Sequence, residues 1–247
     1  EMLFNDREGF VKALNGVYIE LNTNELYGRN LTAGALDVMG QYYSVASSSH
    51  AFYNYGGLVY TGNDEKALFD NMWQKCYAVI ACCNTIIEKC DENKAGLSPV
   101  WKGSIKGEAL ALRAMLHFDM LRLFGPLTSE LDKESIPYQT NSDQTVTPLL
   151  SGSEVIGLIL DDLKNAVGLL KDTDPYFVEE EFSDTDLNYR RFRMNYFAAK
   201  GLMARVQLWG GDKEKAAITA KEVIAEGQAE GAEFFPFVTN SEATSSN

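Results

Sequence analysis

The chain has 247 residues, 45% hydrophobic and 23% charged, enough apolar material for one large domain or two small ones. That balance excludes disorder, a collagen repeat and a disulfide-stapled miniature scaffold. Its 22 Lys and Arg against 35 Asp and Glu leave a net charge of −13, which repels phosphate backbones and anionic lipid, so nucleic acid is not an expected partner.

No apolar run reaches the roughly 20 residues that cross a bilayer, and residues 1–20 lack the basic start and apolar stretch of an export signal. The start at Glu1 rather than Met reads as a processed or trimmed polypeptide.

The predicted elements are mostly helices. Asp64 is placed to cap a helix through Trp73, Tyr77, Ile80, Asn84 and Ile87, which share one face and run to about Cys90. Ser98 followed by Pro99 starts another that should reach Gly125. Within it Leu110, Leu112, Met115, Leu116, Phe118, Leu121 and Leu123 surround the axis, which places this helix in the middle of a bundle. Residues 126–150, with Pro126, Pro137 and Pro148, read as a long surface connection.

Ser153 should then cap a helix through Val155, Ile159, Leu163, Val167 and Leu170. Residues 172–193, rich in acids and arginines, read as a second long loop. A helix from about Met194 to Trp209 is followed by Gly210, Gly211 and Asp212, which leave room only for a tight turn into a helix through Ala216, Ala220 and Ile224. Residues 238–247 read as a polar tail.

Ala204, Leu208, Gly211, Ala216 and Ala220 sit at offsets resembling the tetratricopeptide signature, in which small residues let paired helices approach. Together with the helix pairs 64–90 with 98–124, and 153–170 with its successor, this predicts an all-α chain of helical hairpins joined by long irregular loops. A plain helical bundle is the alternative.

The candidate ligand residues cluster upstream of these hairpins. Residues 42–60 carry Tyr42, Tyr43, Phe52, Tyr53, Tyr55 and Tyr60 with His50, Asn54, Gly56 and Gly57. Aromatic rings stack on the apolar faces of sugars, and Asn, Gln or His satisfy the hydroxyls. Asp37 and Gln41 could add hydrogen bonds. For each ring, core packing is the competing assignment.

Arg113, His117, Asp119 and Arg122 interrupt the central apolar helix. Asp119 and Arg122 stand three apart and can pair, and Glu108 could meet Arg113 or a neighbouring helix. Buried charges persist when paired, so these read as structural. Cys76, Cys83 and Cys90 recur every seven residues, roughly 10.5 Å apart along a helix and beyond the roughly 7 Å that a disulfide spans. They read as small core residues.

Asp184, Asp186 and Asn188 alternate like the opening of a calcium loop, but Tyr189 stands where its Gly belongs and Asn195 where its Glu does. A solvated acidic loop is the better reading, as it is for Glu179, Glu180 and Glu181. No metal, cofactor or nucleotide motif is found, and no nucleophile stands with a base and an orienting partner.

The run from Gly107 to Gly125, with Gly107-Glu108-Ala109, Leu112-Arg113-Ala114, Phe118-Asp119 and Arg122-Leu123-Phe124-Gly125, resembles the signature helix of the SusD/RagB family of nutrient-binding outer-membrane lipoproteins. Trp73, Tyr77 and Asn84 upstream are similar to the family's Trp, Tyr, Asn helix. Ile159, Asp162, Leu163, Ala166 and Leu170 are similar to its next helix, and the Leu208 to Ala220 hairpin to its next tetratricopeptide-like unit. The resemblance runs in order from about Asn5 to about Phe237. It departs after Gly125, where Pro126 follows directly, and family members continue past this point with a second, less regular half.

The resemblance implies a single SusD-like α-α superhelical domain over 1–247, without the family's C-terminal half. It implies a protein with no catalysis of its own, surface-exposed on the cell outer membrane and held there through a lipid anchor upstream of Glu1. Such a protein captures a glycan, or in some relatives a peptide, for a SusC-like TonB-dependent transporter. It places ligand contacts in loops, including the segment between the first helix and the Trp73 helix, where the residue chemistry marks Asp37, Gln41, Tyr42, Tyr43, His50, Phe52, Tyr53, Asn54 and Tyr55 as the candidates. Two rivals remain at this level: a tetratricopeptide adaptor that grips a peptide, and a glycosidase with two facing carboxylates.

Overall fold

The computed structural model describes residues 3–143, 145–178 and 181–228, together with Phe234, Ser241 and Thr244. Most of the predicted polar tail, and Glu179 and Glu180, lie outside the described residues. The described elements are all-α but for one two-stranded ribbon. They are α1 (Arg7–Leu21), α2 (Ala35–Met39), α3 (Tyr53–Gly56), α4 (Asn63–Glu92), α5 (Pro99–Phe124), β1 (Glu134–Pro137), β2 (Leu149–Ser151), α6 (Gly152–Thr173), α7 (Asp184–Arg190), α8 (Tyr196–Trp209) and α9 (Lys213–Gly227).

The central helix is α5. Ser98 Oγ accepts from Trp101 N at 3.3 Å, and Pro99 opens the first turn where its missing N–H leaves nothing unpaired. From Ile105 to Leu121 the helix is buried on almost every side. It packs most heavily on α6, then on α4, while α6 also meets α8, and α8 pairs with α9. This is the succession of hairpins that the small-residue pattern predicts.

Their turns have local causes. Asn93 adopts a left-handed conformation at the end of α4, and its side chain bonds Leu97 N at 2.8 Å and Leu97 O at 3.2 Å, bending the chain into α5. Between α8 and α9, Gly211 takes φ +91°, open to glycine, and Asp212 caps α9 by accepting from Lys215 N at 3.0 Å.

Several boundaries differ from the sequence reading. Gly62, not Asp64, is the N-cap of α4, and Asp64 sits in its first turn, where the helix dipole favours an acid. Ser151, not Ser153, caps α6, in a reciprocal capping box with Glu154. A capping box needs an acid at its fourth position, and only Ser151 has one. The helix expected from Met194 begins at Tyr196, capped by Asn195.

The 126–150 connection carries β1 and β2, an antiparallel pair laid against α5 and α6. The 172–193 loop contains α7, which Ser183 and Asp186 cap reciprocally. Asp186 thus accepts from Ser183 N and Oγ at the start of this helix. Composition hid this helix because Asp186 is spent on its cap and Arg190 on buried ion pairs.

Close approach of α5 and α6 depends on Gly107. A Cβ there would lie 2.8 Å from Leu170 Cγ and 3.2 Å from the Ala166 carbonyl oxygen. Gly107→Val is therefore expected to cost about 1–3 kcal/mol by forcing the two helices apart. Urea denaturation measures this, and an unchanged midpoint would show that the helices can part freely.

Candidate functional site

Two polar systems tie the helices together, and each uses residues far apart in sequence. In the first, Arg113 on α5 meets Asp162 on α6 through two bonds, Nε to Oδ2 at 2.7 Å and Nη2 to Oδ1 at 2.6 Å. Nη1 also donates to Asn84 Oδ1 on α4 at 2.8 Å, and the Tyr138 hydroxyl donates to Asp162 at 2.5 Å. Both charged side chains are nearly fully buried, so the pairing offsets the desolvation of each. Asn84 Nδ2 donates to the Gln139 and Asn141 carbonyls and moors the strand connection to α4.

His117 completes this system. Its Nε2 accepts from Gln139 N at 3.0 Å, and its Nδ1 lies 3.0 Å from the Arg113 carbonyl. Those partners require the neutral ring with the proton on Nδ1. Burial pushes its pKa down to about 3, and Arg113 works in the same direction against the hydrogen bond to the Arg113 carbonyl.

In the second system Glu108 pairs with Arg190 and with Arg193, the latter at 2.7 Å, and accepts from the Tyr18 hydroxyl. Arg190 also grips Asp174, Nε to Oδ1 at 3.0 Å and Nη2 to Oδ2 at 2.5 Å. Of its two expected partners, Glu108 thus takes neighbouring helices rather than Arg113, meeting Tyr18 on α1 and Arg190 at the end of α7, with Arg193 just beyond. Asp119 and Arg122 pair as their spacing predicts, and the Tyr27 hydroxyl donates to Asp119 at 2.5 Å. Glu108, Arg113, His117 and Asp119 thus bind other elements to the central helix, while Arg122 pairs within it. A cavity of about 480 Å³ lies between α1, α5 and the α7 segment, with Glu108 and Arg190 on its wall.

The aromatic loop lies between α2 and α4. Tyr42 is 80% exposed, Tyr43 54% and Tyr53 42%, while Tyr55 is 2% exposed in a small second core with Ala35 and Val38. Burial raises the pKa of the Tyr55 hydroxyl, and the Glu65 and Asp64 charges add to that.

Phe52 is half-buried, edge-on to Tyr55 at 5.8 Å, with the Arg29 guanidinium 5.7 Å above its ring. Tyr55 meets Phe69, Phe69 meets Phe124, and Phe124 meets Trp73, so ring contacts run from the loop into the main core.

The polar candidates of the loop are largely engaged. Gln41 Nε2 donates to the Gly56 carbonyl at 3.0 Å and the Val38 carbonyl at 3.3 Å. Asn54 Nδ2 donates to Glu65 Oε1 at 2.8 Å. His50 is exposed and accepts at Nδ1 from Phe52 N at 3.1 Å. Asp37 is half-buried, and its backbone carbonyl accepts from Tyr42 N at 3.0 Å. Three rings, Tyr42, Tyr43 and Tyr53, therefore face solvent from a loop whose other groups hold it in place.

Sequence reading passed over Glu65 and Arg29, because a lone acid at a helix start and a lone arginine in a loop carry no pattern. The cysteines are free thiols. Cys76, Cys83 and Cys90 are buried and Cys82 is exposed, and burial pushes the Cys83 and Cys90 thiols up to about 12. Among the described residues no three His, Cys, Asp or Glu side chains come together as a metal would need, and no helix is long and apolar enough to cross a membrane.

A stack of helical hairpins carrying an aromatic surface loop defines a class of helical scaffold proteins. Residues 12–208 match the SusD-like family profile described as "Starch-binding associating with outer membrane", and the chain belongs to this SusD-like family. SusD-like protein P2 of Formosa agariphila is 25% identical over 231 residues, covering 91% of this chain and 40% of that protein. A SusD-like protein of Bacteroides ovatus is 30% identical over 146 residues, 58% of this chain and 23% of that protein.

Among solved structures, a SusD-like carbohydrate binding protein from Bacteroides vulgatus superposes with a TM-score of 0.74 at 23% identity, over 96% of this chain and 47% of its own. A laminarin binding SusD-like protein superposes with a TM-score of 0.66 at 18% identity, over 89% and 43%. At these identities the structural likeness shows the fold. The chain spans 40% or less of the length of these curated relatives and about half or less of these solved structures.

Proposed function

We propose that this chain is the helical part of a non-catalytic, surface-exposed outer-membrane lipoprotein that captures a glycan and delivers it to a SusC-like TonB-dependent transporter. The observation that carries this reading is the trio of exposed tyrosines, Tyr42, Tyr43 and Tyr53, on a loop whose inner rings are packed into the core. Exposed aromatic faces on a fixed support suit the C–H faces of sugar rings, and they gain little by standing in water. The family match and the carbohydrate-binding and laminarin-binding names of two structural relatives support the same ligand class. Helical hairpins alone would serve a peptide adaptor equally well, and the family match favours capture of nutrient glycan over that role.

The test is retardation of the chain in affinity gels containing laminarin, starch or a panel of plant and host polysaccharides, followed by calorimetry. Saturable binding without turnover is expected. Tyr42→Ala and Tyr53→Ala should each weaken it about fivefold, the scale of one aromatic contact. Absence of binding to every polysaccharide, with a peptide retained instead, would move the function to the adaptor or to a peptide-capturing relative. Turnover that survives purification would point to a glycosidase.

A further inference from the structure

Glu65 is the most heavily buried residue at the start of α4, 5% exposed, and its one hydrogen-bond partner among the described residues is the Asn54 amide at 2.8 Å. A carboxylate is tolerated there because it stands in the first turn of a helix, where free N–H groups and the dipole favour negative charge. The side chain folds back over the N-cap. A Cβ at Gly62 would lie 2.0 Å from Glu65 Oε2, so a larger residue there would make the carboxylate shift. Asn54 is held at a second point, since its backbone carbonyl accepts from Val59 N at 2.9 Å. At the other end of the loop Gln41, at φ +62°, ties α2 to the Gly56 carbonyl.

We infer that Glu65 is a positioning residue of the glycan site: it grips Asn54 and thereby fixes the loop that presents Tyr53, with Asn54 serving this clamp rather than the ligand. The inference rests on the aromatic loop being the ligand platform, and it assigns Asn54 and Gln41 to the support of that platform. Preorganisation is the physical advantage. A loop already held in its binding shape loses less conformational freedom when the ligand arrives.

A swap of chemistry across the pair separates a clamp from a ligand contact. Asn54→Asp sets two carboxylates face to face, and Glu65→Ala removes the acceptor. Glu65→Gln keeps an acceptor for the Asn54 amide. In the double variant Asn54→Asp with Glu65→Gln, the new carboxylate accepts from the new amide, so the bond returns with donor and acceptor exchanged. Two readouts are taken on the 247-residue chain: the dissociation constant for laminarin or starch, and hydrogen-exchange protection of the Val59 amide.

Asn54→Asp and Glu65→Ala should each weaken binding and reduce Val59 protection by about tenfold, the scale of one hydrogen bond to a charged group. Glu65→Gln and the double variant should lie within about threefold of the parent. If the double variant protects Val59 but binds as poorly as Asn54→Asp, Asn54 touches the ligand and the inference is overturned. Unchanged Val59 protection in Glu65→Ala would also overturn it. Should the parent bind neither polysaccharide, the glycan reading loses its support, while the exchange data still decide whether Glu65 holds the loop.

Discussion

Replacing Arg190 with leucine is expected to remove about 3–5 kcal/mol of stability, the cost of stripping one partner from a buried ion pair. Its side chain is 3% exposed, and its guanidinium serves Asp174 with two bonds, Glu108 with one and the Met194 carbonyl at 3.4 Å. Burial works against the charge of Arg190, and the facing carboxylates of Glu108 and Asp174 overcome it, so its pKa lies above the ordinary value.

The damage should concentrate on Asp174. Glu108 keeps Arg193 and the Tyr18 hydroxyl, whereas Asp174 is fully buried and would retain only the N–H groups of Tyr176 and Tyr196, at 3.1 and 2.8 Å. Adding Asp174→Asn should recover part of the loss, because it removes the uncompensated charge. Arg190→Lys keeps the charge but loses the fork geometry and should fall between the two. Urea denaturation and limited proteolysis across residues 174–195 measure this. A loss under about 1 kcal/mol would mean that α7 is not anchored by this pair.

The second large effect is acid sensitivity. His117 has a folded pKa lowered to about 3 from 6.5, so between those values the unfolded chain binds the proton that the folded chain refuses. Stability is then complete above about pH 6.5 and falls as pH drops toward 3, by up to about 1.4 kcal/mol per pH unit. Glu108 acts in the same direction over a lower range. Burial pushes its pKa up, Arg190 and Arg193 pull it down further, and the net is a value below 4.5. Its contribution is present above 4.5 and lost as pH falls through the folded value.

Between pH 6.5 and 5 the slope should therefore belong mainly to His117, and His117→Gln should flatten it. Denaturation midpoints at a series of pH values test this, with NMR titration of the imidazole alongside. A His117 ring titrating near 6.5 in the folded protein would refute the assignment.

The contrast between these sites and the helices around them explains what was legible in the sequence. The long helices were readable because their causes are local. Ser98 with Pro99 starts α5, apolar residues every three or four positions define α4 and α6, and two glycines with Asp212 make the last turn. The Asp119 and Arg122 pair was readable for the same reason, since both lie on one helix three residues apart. Ser151 was missed as the cap of α6 because Ser153 offers the same hydroxyl two residues on, and only the acid at Glu154 distinguishes them.

Glu108, one of the two acids that Arg190 pairs with, lies 82 residues away on α5, and no spacing rule joins the two. The composition of the 172–193 segment looks solvated only until those charges are paired. In the aromatic loop the same difficulty takes another form: Tyr42, Tyr53 and Tyr55 are chemically identical and follow no helical or strand period. The sequence by itself determined the helical class, the order of the hairpins and the resemblance to the SusD-like family, all of which follow from short-range patterns. Which tyrosines face water, and that Glu65 reaches Asn54, were decided only when the tertiary structure laid α2, α3 and α4 together, because burial is a property of the packed chain.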